Sequence, residues 1–347
     1  MEPLKILDLF AGVCGLSSGF EMVRDKSGNR VFELYRAVEI NKYACETLRK
    51  RYGEEKVVEG DLTKEEIRDR VIRECKGKVK IVAGGIPCQS FSLIGPRSGF
   101  GKKMEEFKED KRDHLYKVFR MVVREINPWI IVIENVKGIL SKKDKNGNRI
   151  IDKLIADFER LGYNFKNRKT GEKYMILNAA DYGVPQKRER VILIGINRKW
   201  KKADVPFPKP SHYDSKSKDE GKLSERGMLP YVTLYEAIGD LPTVEPKITR
   251  TGLSDDKFEK IKKKNMKIYS GEEKIEINKQ KFLEHLNSLS ISGKNYFSYI
   301  QPNGYEYIHG HIARMQQLSD IELFAGMKEG WTAKTVMKSG DNNLMMK

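Results

Sequence analysis

The stretch IVAGGIPCQSFS, residues 81–92, places a single cysteine, Cys88, between a proline and a glutamine directly after an apolar run. The run suits a buried strand, and the Gly-Gly-Ile-Pro that follows does not extend one easily. Cys88 is therefore predicted to lie on a loop at the end of a strand, where the ligand-binding and catalytic residues of α/β proteins commonly lie. A thiolate there is a potential nucleophile, although most lone cysteines are small buried hydrophobes.

An acid and two arginines follow or begin other apolar runs. WIIVIENVKG ends its run in Glu134 and Asn135, which predicts a carboxylate at the same sheet edge as the Cys88 loop. DYGVPQKRERVILIG places Arg188 and Arg190 at alternate positions entering a strand, so their side chains point to the same face. The sequence therefore predicts that a thiol, an acid and an arginine pair converge.

The stretch DLFAGVCGLSSGF is predicted to form a tight turn between a strand and a helix. Gly12 and Gly15 let the backbone turn and approach a ligand, and Ser17 or Ser18 is predicted to cap the helix. The stretch lacks the G-x-G-x-x-G spacing of a dinucleotide fingerprint, so this turn alone is weak support for a ligand.

Two carboxylates end the next predicted strands. Glu39 closes the second strand and Asp61 follows the third, in EGDLT. An acid at the second strand tip suits ribose hydroxyls, and Asp61 can accept a hydrogen bond from an exocyclic amine. Each acid alone suits a turn or a cap, but the ordered set predicts an adenosine-containing cofactor.

Short apolar runs alternate with amphipathic segments over the first 200 residues. Six runs read as strands: LKILDLF, YRAVEI, KVVEGD, VKIVAGG, WIIVIEN and RVILIGI. Three segments carry apolar residues at helical spacing: YACETLRKRY, DHLYKVFRMVVREI and IIDKLIADFERLG. This alternation predicts an α/β fold, a doubly wound and mostly parallel sheet with helices on both faces.

With these motifs the sequence resembles the DNA (cytosine-5)-methyltransferases of restriction-modification systems. The family's cofactor loop stands as DLFAGVCG, its nucleophile loop as GGIPCQSFS, its acid motif as ENV and its arginine motif as QKRERV, in the family's order. TLYEAIGDLP, residues 233–242, is similar to the family's link out of the catalytic domain. The resemblance is close over residues 4–200 and looser to about residue 336. Cys14 stands where the family usually has glycine, and we expect the loop to tolerate it.

The resemblance implies methyl transfer from S-adenosyl-L-methionine to carbon 5 of cytosine on a flipped base. Cys88 would add to carbon 6, Glu134 would neutralise charge at ring nitrogen 3, and Arg190 would hold the base carbonyl. Arg188 is also implied to be catalytic. The residues implied to bind the cofactor or shape its pocket are Phe10, Ala11, Gly12, Gly15, Glu39, Asp61 and Pro87. The residues implied to contact DNA are Gln89, Ser92 and Arg97.

The resemblance also implies two domains. Residues 1–200 would form the catalytic and cofactor-binding domain, and residues 201–347 a linker and an incomplete target recognition domain. The family's later arginine-containing segment and its Gly-Asn-Ala/Val motif are not found. A second polypeptide that completes the enzyme, a frameshift and a truncation are the explanations left open.

Composition points to a polyanionic partner. The formal net charge is +17, and basic runs are spread along the chain, which favours nucleic acid over a membrane. The resemblance implies that this nucleic acid is double-stranded DNA. No apolar segment approaches the roughly 20 residues that span a bilayer, and the N-terminus has no signal-peptide layout, so a cytoplasmic protein without membrane attachment is expected. The four cysteines lack paired metal-ligand spacing, and no metal is expected.

Three other functions are compatible with parts of this pattern. A transfer RNA cytosine-5 methyltransferase would share the scaffold, although the long basic segment after Arg190 favours DNA. A catalytically inactive nucleic-acid-binding remnant is compatible with the missing motifs. A nicotinamide oxidoreductase would share the sheet but leaves Cys88, Glu134 and the arginine pair unexplained.

Overall fold

The computed structural model describes ten segments of the chain: residues 2–87, 115–144, 146–200, 203–217, 219–241, 247–248, 275–276, 279–300, 307–308 and 315–316. Cys88, Gln89, Ser92 and Arg97, predicted to act on DNA, lie outside these residues. Contacts divide the chain into two compact units, Met1–Met228 and Leu229–Lys347. The boundary predicted at residue 200 separates a catalytic role from a recognition role. That division of roles stays a prediction.

The first unit is built on an eight-stranded sheet in the order β3-β2-β1-β4-β5-β8-β6, with β7 also paired to β8. Its strands are β1 (Leu4–Leu9), β2 (Phe32–Glu39), β3 (Val57–Glu59), β4 (Ile81–Gly85), β5 (Ile130–Val136), β6 (Tyr163–Asn164), β7 (Met175–Asn178) and β8 (Glu189–Asn197). Strands β1 to β5 are parallel, and β8 runs antiparallel to β5, β6 and β7. The six predicted strands are confirmed as β1 to β5 and β8.

Helices cover both faces of this sheet, as a doubly wound fold requires. They are α1 (Gly15–Glu21), α2 (Lys42–Tyr52), α3 (Glu65–Cys75), α4 (Leu115–Ile126) and α5 (Ile150–Arg160). The first unit also contains the two-residue strand β9 (His212–Tyr213) and the short helix α6 (Glu220–Glu225). The three predicted helices are confirmed as α2, α4 and α5. The strand order reverses between β1 and β4, which is where α/β sheets bind ligands.

The larger hydrophobic core lies between one sheet face and helices α3, α4 and α5. Alternate residues of β1, Leu7 and Leu9, point into it and are fully buried. The rings of Phe119 in α4 and Phe158 in α5 meet edge to face, with centroids 5.9 Å apart. Gly84 in β4 lets the Phe119 ring approach, since a Cβ there would lie 2.8 Å from a ring carbon.

The opposite sheet face is covered by α1 over its central strands. Ile6, Ile81, Ala83 and Val132 are buried there. The apolar residues around them are only half-buried: Leu16, Phe20, Phe32, Ile130, Ile192 and Ile194. This face is therefore less completely shielded from water than the face that carries α3, α4 and α5.

The second unit contains three described helices, α7 (Leu234–Ile238), α8 (Lys279–Ser288) and α9 (Ile291–Ile300). Its two-residue strands are β10 (Leu229–Pro230), β11 (Lys247–Ile248), β12 (Ile275–Glu276), β13 (Tyr307–Ile308) and β14 (Met315–Gln316). A capping box between Thr233 and Glu236 begins α7, within the TLYEAIGDLP motif. Glu236 also accepts a 3.1 Å hydrogen bond from the Ser290 amide, which joins α7 to the start of α9.

None of the helices in the described segments combines the length and apolarity that a membrane-spanning helix needs.

Candidate active site

The loop after β1 is a left-handed turn. Phe10, Gly12 and Cys14 have φ angles of 57°, 54° and 61°. The Ala11 amide donates a 3.0 Å hydrogen bond to β2, and the Cys14 amide donates a 2.7 Å hydrogen bond back to the Ala11 carbonyl. Because α1 begins directly afterwards, at Gly15, this turn sets both the path of the loop and the start of the helix.

Glu39, the last residue of β2, ties this turn to the neighbouring strand. Its Oε2 accepts a 2.8 Å hydrogen bond from the Gly12 amide, and its Oε1 accepts hydrogen bonds of 2.9 and 2.7 Å from the amides of Ile40 and Asn41. A carboxylate has about four acceptor positions, so about one remains for a ligand hydroxyl. Glu39 therefore positions the loop and keeps one carboxylate acceptor position free, one strand away from the place where the strand order reverses.

Asp61 lies after β3, beside Glu39, because the Gly60 amide donates a 2.9 Å hydrogen bond to the Glu39 carbonyl. Its Oδ1 accepts hydrogen bonds from the Thr63 amide and hydroxyl, at 2.9 and 2.7 Å. No described residue engages its Oδ2, which stays available to accept a bond from an amine. The two carboxylates thus suit the two polar ends of an adenosine group.

Ile40 is a candidate site residue that the sequence did not predict. It follows Glu39 directly and is 65% exposed, which is unusual for a large apolar side chain. An exposed apolar side chain next to the Glu39 carboxylate suits the flat face of an aromatic ring. The available signal was an isoleucine immediately after the acid that closes a strand.

A buried polar cluster lies beneath the left-handed turn. Asp8, Cys14 and Ser17 are each at most 1% exposed, and the Ser17 hydroxyl donates a 2.6 Å hydrogen bond to Asp8 Oδ2. Burial raises the pKa of Asp8 to about 6, although hydrogen bonds from Ser17 and Cys14 oppose the rise. Burial is the main cause that raises the pKa of Cys14 to about 12, and the nearby Asp8 carboxyl raises it further. The thiol of Cys14 therefore keeps its proton.

The prediction that Ser17 or Ser18 caps the helix is wrong. Helix α1 begins at Gly15, so its N-cap is Cys14, which makes no side-chain cap. Ser17 instead donates to Asp8, and the Ser18 hydroxyl donates a 2.6 Å hydrogen bond to the Cys14 carbonyl. Both serines lie inside the first turn, where their hydroxyls act as donors.

Glu134 and Arg190 form an ion pair at the same edge of the sheet. The antiparallel register pairs Val136 with Arg190 and Glu134 with Ile192, so Glu134 and Arg190 are diagonal neighbours on one face. Arg190 Nε lies 2.7 Å from Glu134 Oε1, with the side chains 22% and 28% exposed. Gly85 of β4 leaves room for the acid, because a Cβ there would lie 3.1 Å from Glu134 Oε2.

The chain leaves β4 toward Cys88 next to this ion pair. Gly85, the last residue of β4, is paired with Glu134. The buried Asn135 donates a 3.5 Å hydrogen bond from Nδ2 to the Ile86 carbonyl, which ties the start of the loop to β5. Pro87, half-buried, is the last described residue before Cys88. The described segment therefore ends, at Pro87, next to the strand that carries the acid.

Arg188 does not join Arg190 in contacting Glu134. It precedes β8, is exposed, and lies within ion-pair distance of no carboxylate in the described segments. Its amide donates a 3.0 Å hydrogen bond to Asn178 Oδ1, and its carbonyl accepts one from Ala179. The structure thus joins one arginine of the predicted pair to Glu134, and a catalytic role for Arg188 stays a prediction.

Three free cysteines, Cys14, Cys45 and Cys75, are buried in the described part of the chain. Within those same segments, no group of three or more histidine, cysteine and acidic side chains is arranged to hold a metal ion.

Solved structures are similar to this chain in fold. One is a protein encoded within a prophage (E. coli) and described as a DNA modification methyltransferase, which matches with a TM-score of 0.57 and 23% identity. The match covers 95% of this chain and 77% of that one. It extends the likeness of fold over nearly the whole chain.

Two curated relatives are Type II methyltransferases. M.AquIA of Picosynechococcus sp. is 36% identical over 247 residues, which is 70% of this chain and 90% of that protein. M.NgoFVII of Neisseria gonorrhoeae is 35% identical over 238 residues, which is 69% of this chain and 53% of that protein. The match thus covers only about half the length of M.NgoFVII.

The sequence profile of C-5 cytosine-specific DNA methylases matches residues 4–338. The chain therefore belongs to the C-5 cytosine-specific DNA methylase family.

Proposed function

We propose that this chain transfers a methyl group to carbon 5 of a cytosine in double-stranded DNA, as a modification enzyme of the restriction-modification type. The observation that carries the proposal is the Glu134–Arg190 ion pair, at the sheet edge where β4 leads into the Cys88 loop. The family match implies S-adenosyl-L-methionine as the methyl donor. Because the family is one of DNA methylases, the RNA enzyme and the inactive remnant are not favoured.

The proposed chemistry makes carbon 5 of the base nucleophilic. The Cys88 thiolate forms a bond to carbon 6, and the displaced ring electrons move toward nitrogen 3, where Glu134 shares or supplies a proton. Arg190 donates hydrogen bonds to the base carbonyl oxygen. The bound methyl donor would supply an electrophilic methyl group to carbon 5, with its sulfur as the leaving group. Loss of the carbon 5 proton, cleavage of the Cys88–carbon 6 bond and return of the nitrogen 3 proton to Glu134 restore the aromatic ring.

The methyl donor is proposed to lie across the ends of β1, β2 and β3. Glu39 would accept a ribose hydroxyl with its remaining acceptor position, and Asp61 Oδ2 would accept the adenine amine. Ile40 would cover one face of the adenine. The remaining predicted residues, Phe10, Ala11, Gly12, Gly15 and Pro87, are proposed to shape the methionine end of the pocket.

The target base must leave the duplex to reach these groups. Flipping a base costs about a few kcal/mol, which contacts to DNA must offset. We propose that Gln89, Ser92 and Arg97 supply such contacts and that the segment after residue 200 reads bases in the major groove. The net charge of +17 favours association with the DNA backbone. A DNA substrate also suits the cytoplasmic location that we propose.

A second polypeptide is a further part of the proposal. It is supported by the half-buried apolar face around α1, where Leu16, Phe20 and Ile192 keep part of their surface in water. The family resemblance implies that a helix carrying the Gly-Asn motif packs beside the first strand and the cofactor loop. Covering this face would add buried apolar area and order the loop that contains Gly12.

A covalent trap tests the proposed function. Duplex DNA that contains 5-fluorocytosine should form a stable adduct with the chain in the presence of S-adenosyl-L-methionine. Carbon 5 then carries fluorine in place of the proton whose loss would release the enzyme. Cys88→Ser should abolish both the adduct and methyl transfer, since a hydroxyl ionises far less readily than a thiol. Cys75→Ser, at a cysteine in α3 outside the site, is the matched control and should retain both. A serine variant at position 88 that still transfers methyl groups would rule out the covalent mechanism.

The partner is tested separately by calorimetric titration of the methyl donor. We expect weak binding to this chain alone and at least tenfold tighter binding after addition of a C-terminal fragment from a close relative. If the chain alone binds the methyl donor as tightly as it does with the fragment, and alone shows full turnover, no second polypeptide is needed.

A further inference from the structure

A cavity of about 450 Å³ lies in the first unit, at the sheet end opposite to the candidate active site. It is lined by residues of α1, of the segment that follows it, and of the end of α2. Its lining residues Arg30 and Lys56 precede β2 and β3, whereas Glu39 and Asp61 follow these strands. At about 3.3 Å per residue, the length of β2 separates the two ends by roughly 23 Å. The basic residues of the cavity therefore lie apart from the proposed methyl-donor site, and only its Ser18 end reaches the first turn of α1.

The cavity carries an excess of positive charge. Arg24, Arg30, Arg51 and Lys56 line it, and Glu21 is the one carboxylate among its lining residues. Glu21 accepts a 3.2 Å hydrogen bond from the Leu34 amide, and Lys56 pairs with Glu33 at 2.8 Å. Neither Arg30 nor Arg51 lies within ion-pair distance of a carboxylate in the described segments. Two guanidinium groups at the cavity thus lack a counter-charge from those residues.

The local fold holds two of the arginines opposite each other. Arg24 and Arg30 are partners in an isolated antiparallel bridge, closed by a turn in which Asp25 accepts hydrogen bonds from the amides of Ser27 and Asn29, at 2.8 and 2.9 Å. Like charges directly opposite in such a pair are destabilising. A bound anion would remove this repulsion, which is a reason to expect one at this position.

Other donors at the cavity suit phosphate oxygens. The Tyr52 hydroxyl lies 3.3 Å from the Ser18 hydroxyl, whose own proton is donated to the Cys14 carbonyl, and the Arg51 guanidinium lies over the Tyr52 ring at 4.9 Å from its centroid. Arginine offers a planar fork of N–H donors that matches phosphate geometry. The cavity volume falls within the range of small-ligand sites, about 300–1,000 Å³.

We propose that this cavity binds phosphate groups, either of a free oligophosphate or of a nucleic-acid backbone. The main contacts come from Arg30 and Arg51, with Arg24 and Lys56 adding charge and the Tyr52 hydroxyl adding a donor. The site does not depend on the proposed methyl transfer, because it lies at the other end of the sheet and holds none of the candidate catalytic residues.

Calorimetric titration of tripolyphosphate into the full chain at low ionic strength tests the site. We expect saturable binding at one site and at least tenfold weaker binding by the variant Arg30→Ala/Arg51→Ala. The matched control is Arg73→Ala/Arg226→Ala, which removes two exposed arginines elsewhere in the first unit and should bind as the wild type does. Thermal unfolding confirms that each variant is folded. Absence of saturable binding by the wild type, or an equal loss in both double variants, would overturn the proposal.

The salt dependence of duplex DNA binding identifies the source of the phosphate. If the DNA backbone enters the cavity, Arg30→Ala/Arg51→Ala lowers the slope of log affinity against log salt by about 1–2, and the control variant does so to a smaller extent. If a free anion is the ligand, the slope is the same for both double variants while the loss of tripolyphosphate binding persists. Each result supports the site and names its ligand.

Discussion

The Ser17 hydroxyl donates a 2.6 Å hydrogen bond to the Asp8 carboxyl in the protein interior, directly beneath the left-handed turn of the candidate active site. Asp8 lies in β1 and Ser17 in α1, so this bond joins the strand to the helix across the loop that contains Gly12. The loop is therefore held from below by Asp8 and from the side by Glu39. Both acids act on the cofactor loop through backbone and side-chain hydrogen bonds.

The first prediction concerns Asp8 and pH. Its pKa in the folded protein is about 6, above the ordinary value of 3.8, so the folded state binds the proton more tightly than the unfolded state. The stabilisation is complete below the unfolded pKa and is lost as pH rises through the folded pKa. Relative to Asp8→Asn, the wild type should lose about 2 kcal/mol of unfolding free energy between pH 4 and pH 7. Urea unfolding at several pH values measures this loss.

Asp25 provides a control of opposite sign for that experiment. Backbone hydrogen bonds from its own turn lower the pKa of this exposed carboxyl. Relative to Asp25→Asn, the wild type should gain stability as pH rises through the acid range. A difference between wild type and Asp8→Asn that does not change with pH would contradict the buried, proton-holding role of Asp8.

The second prediction concerns the left-handed backbone at Cys14, where φ is 61°. A residue with a Cβ loses roughly 1 kcal/mol or more in this conformation, and glycine does not. Cys14→Gly and Cys14→Ala both remove the buried thiol, so we expect the glycine variant to be the more stable of the two by about 1 kcal/mol in urea unfolding.

Gly12 permits the reverse comparison. Its φ is 54°, and a Cβ added there meets no atom within 4 Å. Gly12→Ala should therefore lower the unfolding free energy by a similar amount, through backbone conformation alone. Equal stability of the two Cys14 variants would show that the turn relaxes when its side chain changes.

The third prediction separates two adjacent glycines of β4. A Cβ at Gly84 would lie 2.8 Å from both the Leu9 carbonyl and the Phe119 ring, so Gly84→Ala should cost about 1–3 kcal/mol of stability. A Cβ at Gly85 would lie 3.1 Å from Glu134 Oε2 and displace the acid slightly. Gly85→Ala should reduce the methyl-transfer rate about tenfold with little change in stability or donor affinity. A normal rate in Gly85→Ala would show that the position of Glu134 is not critical.

The fourth prediction concerns Asp61, whose Oδ1 is engaged by Thr63 while Oδ2 is available. In Asp61→Asn the amide oxygen can keep the Thr63 bonds, which leaves an NH₂ group facing the proposed adenine amine. We expect at least tenfold weaker binding of S-adenosylhomocysteine, and a relative gain for S-inosylhomocysteine, whose carbonyl accepts from that NH₂ group. Calorimetry with both ligands measures the ratio. An unchanged ratio would place the purine away from Asp61.

Much of the candidate site was predictable because parallel strands place their carboxyl ends at one edge. Apolar runs that end in Glu39, in Asp61 and in Glu134 were enough to predict that these acids share an edge, and the structure places each within two residues of the end of its strand. Ile40 was not predicted, since an isoleucine next to a strand resembles any core residue until its exposure is known.

Local periodicity and strand direction were enough to predict six strands, the order of the main elements and the sheet edge that carries the acids, whereas α3, β6 and β7 were not predicted. The sequence offered Arg188 and Arg190 equally, and the fold brings only Arg190 into contact with Glu134. That choice depends on the register of β8 against β5, which is set by hydrogen bonds between strands more than 50 residues apart in sequence. The structure likewise decided that Ser17 donates to Asp8 in place of capping α1, because the left-handed turn moves the start of the helix to Gly15 and directs the hydroxyl into the interior.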